Sequence, residues 1–171
     1  MLSNEKLHHQ MITLVHEKLY QYIRHPYLDL QEAGLQAGQK VLEIGCGPGF
    51  FSVPAAFIVG NQGRLVTIDV NPWAVKCTQE KIAAAGLNNA DVLQLDAACT
   101  DLPAGSFDLV FVFGFRHPKG DLHPILQEIH RLLKDDGILA WEGILQPPQT
   151  LFTHLDRNSR IVRYRKVRKQ L

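Results

Sequence analysis

The segment Val41-Leu42-Glu43-Ile44-Gly45-Cys46-Gly47-Pro48-Gly49-Phe50-Phe51 runs an apolar, strand-like stretch straight into three glycines spaced two apart. Glycine there allows a tight turn and lets a ligand approach the main chain. A helix starting just after the turn offers unpaired N–H groups. The next apolar run ends at Asp69, 20 residues beyond Gly49, and a third ends near Asp96. A carboxylate has two acceptor oxygens, which suits capture of a vicinal diol. With the glycines on one strand, Asp69 on its neighbour and Asp96 one strand further, the pattern predicts a crevice for an adenosine-containing ligand. In that arrangement Asp69 faces the ribose hydroxyls and Asp96 the adenine amino group. Glycines used only for turns and caps would not bring both acids with them.

Other reactive side chains carry two readings each. His117, in Gly114-Phe115-Arg116-His117-Pro118, has an imidazole suited to removing a proton near neutral pH, and Arg116 could bind a carboxylate or phosphate on a substrate. Both read more readily as exposed loop residues ahead of a proline turn. Cys46 would sit at a helix N-terminus, where a thiol pKa can fall, yet a small side chain packing in the glycine loop accounts for it as well. His123 and His130 share one predicted helix but have no acid or cysteine at ligand spacing, so they read as solvated residues and no metal site is expected. The run Arg160, Arg163, Arg165, Lys166, Arg168, Lys169 is the one local basic cluster. It reads as a charged edge strand with a frayed tail, or alternatively as a contact for RNA phosphates.

Alternating elements must position these groups. Apolar runs predict strands over 41–44, 65–68, 92–95, 109–113 and 138–141, with helices over about 50–59, 72–85 and 122–134 between them. Asn71 reads as an N-cap, Pro72 as the first helical residue and Gly86 as the stop of the second of these helices. Residues 97–106 read as a loop. Residues 3–24 carry Leu7, Met11, Leu14, Val15 and Leu19 on one helical face, and the helix breaks at His25-Pro26, followed by a link to Gly38. Strands alternating with helices predict an α/β fold: a doubly wound, mostly parallel sheet covered on both faces. The polar run 161–167 reads as an antiparallel strand near the C-terminal edge.

With 171 residues, 46% of them hydrophobic, the chain is long enough for one core and fits one domain. A net charge of +1 gives no global field toward nucleic acid or anionic membranes. No stretch approaches a membrane span, and three cysteines without CxxC spacing and a polar N-terminus predict a cytoplasmic protein.

These motifs resemble those of class I S-adenosylmethionine (SAM)-dependent methyltransferases. Glu43-Ile44-Gly45-Cys46-Gly47-Pro48-Gly49 is similar to their glycine-rich motif, Ile68-Asp69-Val70-Asn71-Pro72 to the second and Leu95-Asp96-Ala97 to the third. Glu128-Ile129-His130-Arg131-Leu132-Leu133-Lys134-Asp135-Asp136-Gly137 resembles the family's helix-turn-strand signature, with Asp136 replacing a glycine. The likeness covers residues 35–142 and lies nearest to the small-molecule, ubiquinone/menaquinone type. It implies transfer of a methyl group from SAM to a small-molecule acceptor by in-line displacement, leaving S-adenosyl-L-homocysteine. It further implies that Gly45, Cys46, Gly47 and Gly49 line the methionine and ribose portions, with Glu43 helping to hold the methionine amino group. Asp69 takes the ribose, Asp96 and Ala97 the adenine, Val70 packs on its ring, and Phe113 and Gly114 lie near the sulfonium. Residues 1–34 resemble a cap, with Tyr27 near the acceptor beside Arg116 and His117. Residues 143–171 form reduced C-terminal strands, because the helix usual after strand five shrinks to Pro147-Pro148 and a turn; the shortened edge leaves room for a homodimer.

Three rival functions share parts of this pattern. A SAM-binding partner subunit without activity fits the reduced C-terminal region, and an RNA-directed methyltransferase fits the basic run. An NAD-dependent dehydrogenase shares the strand-glycine-helix-acid logic, but its Gly-x-Gly-x-x-Gly fingerprint fails where the third glycine arrives one residue early, before Phe50.

Overall fold

A computed structural model describes residues 25–114, 121–143 and 145–168. The helix expected over 3–24 lies outside the described residues, as do Arg116, His117 and Lys169. Seven strands form one sheet in the order β3-β2-β1-β4-β5-β7-β6. They are β1 (Lys40–Ile44), β2 (Arg64–Asp69), β3 (Ala90–Gln94), β4 (Phe107–Val112), β5 (Leu133–Glu142), β6 (Phe152–Asn158) and β7 (Ile161–Lys166). The first five are parallel, and β7 runs antiparallel to both β5 and β6. The strand order reverses between β1 and β4, and in sheets of this kind that switch point opens a crevice at the carboxyl ends.

The helices are α1 (Pro26–Glu32), α2 (Ser52–Val59), α3 (Pro72–Ala84) and α4 (His123–Leu132). Side-chain alternation along the strands divides the core in two. Val41, Leu65, Leu109 and Phe111 join Leu30 of α1, Ala55 of α2 and Val75 of α3 on one face. Leu42, Val66, Val110 and Leu139 join Leu126, Ile129 and Leu132 of α4 on the other. Burying each such leucine or valine contributes about 1.5–3 kcal/mol, which is why the strands read as near-continuous apolar runs. At α3, Asn71 Oδ1 accepts from Trp73 N at 3.0 Å, Pro72 opens the helix, and Gly86 follows its end with φ +66°.

Three local readings change. His25 is extended and Pro26 opens α1, because proline's fixed φ and missing N–H suit the first helical turn; residues 26–32 are thus helical, where a link was expected. Helix α4 stops at Leu132 and Leu133 already pairs with Phe107; the β4–β5 ladder resumes only at Leu109–Ile138, so residues 134–137 bulge out. The last strand, β7, is interior to the antiparallel flap, and the edge itself is β6, hidden in the sequence because Phe152 is its one fully buried residue.

Candidate functional site

Because β1 and β2 run parallel with Glu43 beside Thr67 and Ile44 beside Ile68, their carboxyl ends finish side by side. Gly45 N and Cys46 N both donate to Ile68 O, at 2.8 and 3.1 Å, and this folds the glycine loop back across β2. Gly47 N then donates to Asp69 Oδ2 at 3.0 Å, while Asn71 N donates to Oδ1 at 2.9 Å. The acid predicted from spacing alone is therefore held by two backbone amides, one on each oxygen. Each oxygen keeps a lone pair for a further donor, the arrangement a vicinal diol needs. Beside it Val70 is 64% exposed, a large apolar side chain left open to solvent.

Gly47 and Gly49 have φ of +50° and +84°, which L side chains rarely adopt. A Cβ on Gly47 would meet nothing within 4 Å, so the loop leaves open space there; a Cβ on Gly49 would stand 3.0 Å from Thr78 Oγ1. Thr78, buried on α3, donates to Gly47 O at 3.0 Å and so fixes the loop from beneath. Helix α2 begins at Ser52, six residues past Cys46, so Cys46 is not at a helix N-terminus. Burial, then the nearby Glu43 carboxylate, pushes its thiol up to about 12, which makes it a packing residue.

Glu43 is buried on the face of β1 that α2 covers. Its Oε2 accepts from Ser52 Oγ at 2.5 Å and Thr67 Oγ1 at 2.7 Å. Burial raises its pKa from 4.5 to about 7 against the lowering effect of the two hydroxyls, with Asp69 adding a smaller push upward. Asp96 is exposed at the start of the loop after β3, its Oδ1 accepting from Ala98 N at 2.9 Å; Ala97 packs toward the α4 side of the core. Phe113 turns its ring into the core against Phe51 and Phe111, centroids 5.1 Å away in each case, so its side chain is packed rather than presented to a ligand. Gly114 N donates to Glu142 Oε2 at 2.7 Å, tying the end of β4 to the end of β5. Tyr27 on α1 is 42% exposed.

The sequence reading missed Ser52, Thr67, Thr78 and Glu142. Thr78 left a trace: it is the polar member of the buried stripe Ala74-Thr78-Ile82 on α3. Glu142 left another, an acid closing a strand as Asp69 does. His130, read as solvated, is buried instead; its Nε2 lies 2.9 Å from Val167 O and its ring stacks edge-on to Phe152. Among the described residues no three His, Cys, Asp or Glu side chains converge as metal ligands. The basic run is largely paired: Arg163 with Asp156, Arg168 with Asp136, and Arg160 with Asp29 at 3.5 Å. No helix among the described residues is long and apolar enough to cross a membrane. A cavity of about 790 Å³ lies beside β6 and β7 and is lined by none of these crevice residues.

The model of a methyltransferase domain matches residues 41–137, more than half the chain and all of the glycine loop, Asp69 and Asp96. The chain belongs to the methyltransferase domain family. The fold is shared with a SAM-dependent methyltransferase from Aquifex aeolicus, which superposes with a TM-score of 0.79 at 24% identity, over 93% of this chain and 98% of that one. Demethylmenaquinone methyltransferase of Geobacillus stearothermophilus is 32% identical over 124 residues, 72% of this chain and 52% of that protein. Nocamycin O-methyltransferase of Saccharothrix syringae is 36% identical over 111 residues, 65% of this chain and 40% of that protein. The methyltransferase domain thus spans about half the length, or less, of these curated relatives.

Proposed function

We propose that this domain binds SAM over the carboxyl ends of β1, β2 and β3 and directs its methyl group to a small-molecule acceptor at the ends of β4 and β5. The observation that carries the reading is the Asp69 carboxylate, held by Gly47 N and Asn71 N beside exposed Val70. The open space over Gly47 fits a ligand that lies against the main chain. In this reading Gly45, Cys46, Gly47 and Gly49 form the cradle, Glu43 backs the methionine amino group, Asp69 holds the ribose, and Asp96 with Ala97 meets the adenine. The backbone of Phe113 and Gly114 borders the reacting centre. Residues 35–142 make the binding core, 1–34 a cap and 143–171 the reduced C-terminal strands.

When bound, SAM supplies a methyl carbon activated by a sulfonium leaving group. The protein has then to align the acceptor in line and exclude water, and alignment can supply roughly 7–11 kcal/mol. A base is needed only where the acceptor must lose a proton, and His117 is proposed for that step, with Arg116 and Tyr27 toward the acceptor. The relatives' printed acceptors, a demethylmenaquinone and an oxygen nucleophile, support a quinol-like or hydroxyl-bearing small molecule here. A cytoplasmic setting fits the free cysteines, and a homodimer would meet along the β6 edge.

Titration calorimetry with SAM, S-adenosyl-L-homocysteine and NAD tests this directly. Both sulfur ligands should bind and NAD should not, and Asp69→Asn should weaken the sulfur ligands by roughly tenfold or more, the effect of losing a charged acceptor. Unchanged affinity in Asp69→Asn, or preference for NAD, would end the proposal.

A further inference from the structure

The loop after β3 is gripped from α4 in a way that the crevice alone does not require. Glu128 Oε1 accepts from both Thr100 N, at 3.0 Å, and Thr100 Oγ1, at 2.6 Å. Arg131, one helical turn on, closes a two-pronged pair with Glu128, Nε to Oε2 and Nη2 to Oε1, each at 2.7 Å. The same Arg131 Nη2 donates to Leu102 O at 2.8 Å. Thr100 Oγ1 in turn accepts from Leu102 N at 3.2 Å, and Thr100 is buried.

Between these two anchored residues stands Asp101, with φ +55°. A non-glycine residue in the left-handed region costs on the order of 1 kcal/mol or more and persists only where its surroundings over-determine it. Glu128 holds one flank and Arg131 the other. Directly upstream, Cys99 N donates to Asp96 O at 3.1 Å, Asp96 and Cys99 form a β-bridge, and Ala98 N caps the Asp96 carboxylate. The path from the clamp to Asp96 is therefore four residues of tightly bonded backbone. Glu128 stays ionised throughout, because its bonds to Arg131 and then to Thr100 hold its pKa down to about 2.

We propose that Glu128 and Arg131 are positioning residues for the adenine end of the site, fixing the 96–102 loop so that Asp96 can select adenine by its amino group. This rests on the cofactor reading above. It gives the helix-turn-strand signature a role in ligand discrimination at a distance from the ligand.

The test is calorimetry of wild type, Glu128→Gln and Thr100→Val with two ligands, S-adenosyl-L-homocysteine and S-inosyl-L-homocysteine, which carries an oxo group in place of the adenine amino group. Glu128→Gln turns an amide donor toward the Arg131 guanidinium, and Thr100→Val keeps the shape of the side chain without its hydroxyl. Wild type should prefer the adenosyl ligand by about tenfold or more, as expected for a hydrogen bond to a charged acceptor. Both variants should lose most of that preference while binding the inosyl ligand within about threefold of wild type, since loop misplacement removes only the Asp96 contribution. A preserved preference, or a parallel loss of both ligands, overturns the positioning role. A wild type that binds both ligands without discriminating between them also overturns it, whereas a wild type that binds neither removes the cofactor reading on which it rests.

Discussion

Replacing Glu43 with Gln isolates the energetic consequence of placing an acid inside the core. Glutamine Oε1 can still accept from the Ser52 and Thr67 hydroxyls, so the packing and one set of bonds survive while the titration is removed. In the folded protein the Glu43 pKa is about 7, against 4.5 for an unburied glutamate. Between those values the folded state holds a proton that the unfolded chain has released, so rising pH favours unfolding. The contribution of the neutral acid is complete below pH 4.5 and is lost as pH passes through about 7. At about 1.4 kcal/mol per pH unit the full swing is about 3 kcal/mol, an order-of-magnitude figure. Urea unfolding of both proteins at pH 5 and pH 8 measures it, because every other titrating group cancels in the comparison. Wild type should lose about 3 kcal/mol more than Glu43→Gln between the two conditions, less whatever fraction is already lost at pH 5. Two proteins whose stabilities fall in parallel, within about 0.5 kcal/mol, would refute the assignment of Glu43 as a buried, protonated acid near neutrality. In the proposed complex the methionine ammonium favours the ionised form, so binding near pH 7 should release a proton, visible as a heat that varies with buffer ionisation enthalpy.

Gly49→Ala should destabilise the fold more than Gly86→Ala. Both have positive φ, but only at Gly49 does the new Cβ meet a fixed backbone atom, Thr78 Cα at 3.3 Å; a difference of at least about 1 kcal/mol, roughly 2–4 °C in Tm, is expected from thermal melts, and equal losses would refute the packing argument. Labelled single-stranded RNA should show no micromolar, salt-sensitive binding by fluorescence anisotropy, because Arg160, Arg163 and Arg168 are already paired with acids; tight binding with a steep salt slope would overturn that account.

What could be read beforehand follows from where the signal is local. Strands β1, β2, β4 and the 138–141 stretch of β5 are largely buried on both faces, so their apolar runs announced them, and the glycine loop with Asp69 was legible because backbone geometry and strand order fix both. Glu43 was visible as a motif residue, but its partners Ser52 and Thr67 are hydroxyls 9 and 24 positions away, brought together only by packing. The β6 strand escaped because an edge strand with one fully buried residue has no clean alternation. The burial of His130 escaped for the opposite reason: its partner, the Val167 carbonyl, comes from 37 positions further along the chain, and no helical pattern encodes it.

The position of β7 between β5 and β6 also sets an order of assembly. During synthesis β6 emerges first but has no neighbour on the sheet, since its whole ladder is made with β7. Until the ribosome has released Ile161–Lys166, the rim of β5 offers unpaired N–H and C=O groups to any passing strand. Chains that stall before that point would be the ones to aggregate, and the later-made member of the hairpin is the one that closes the barrier.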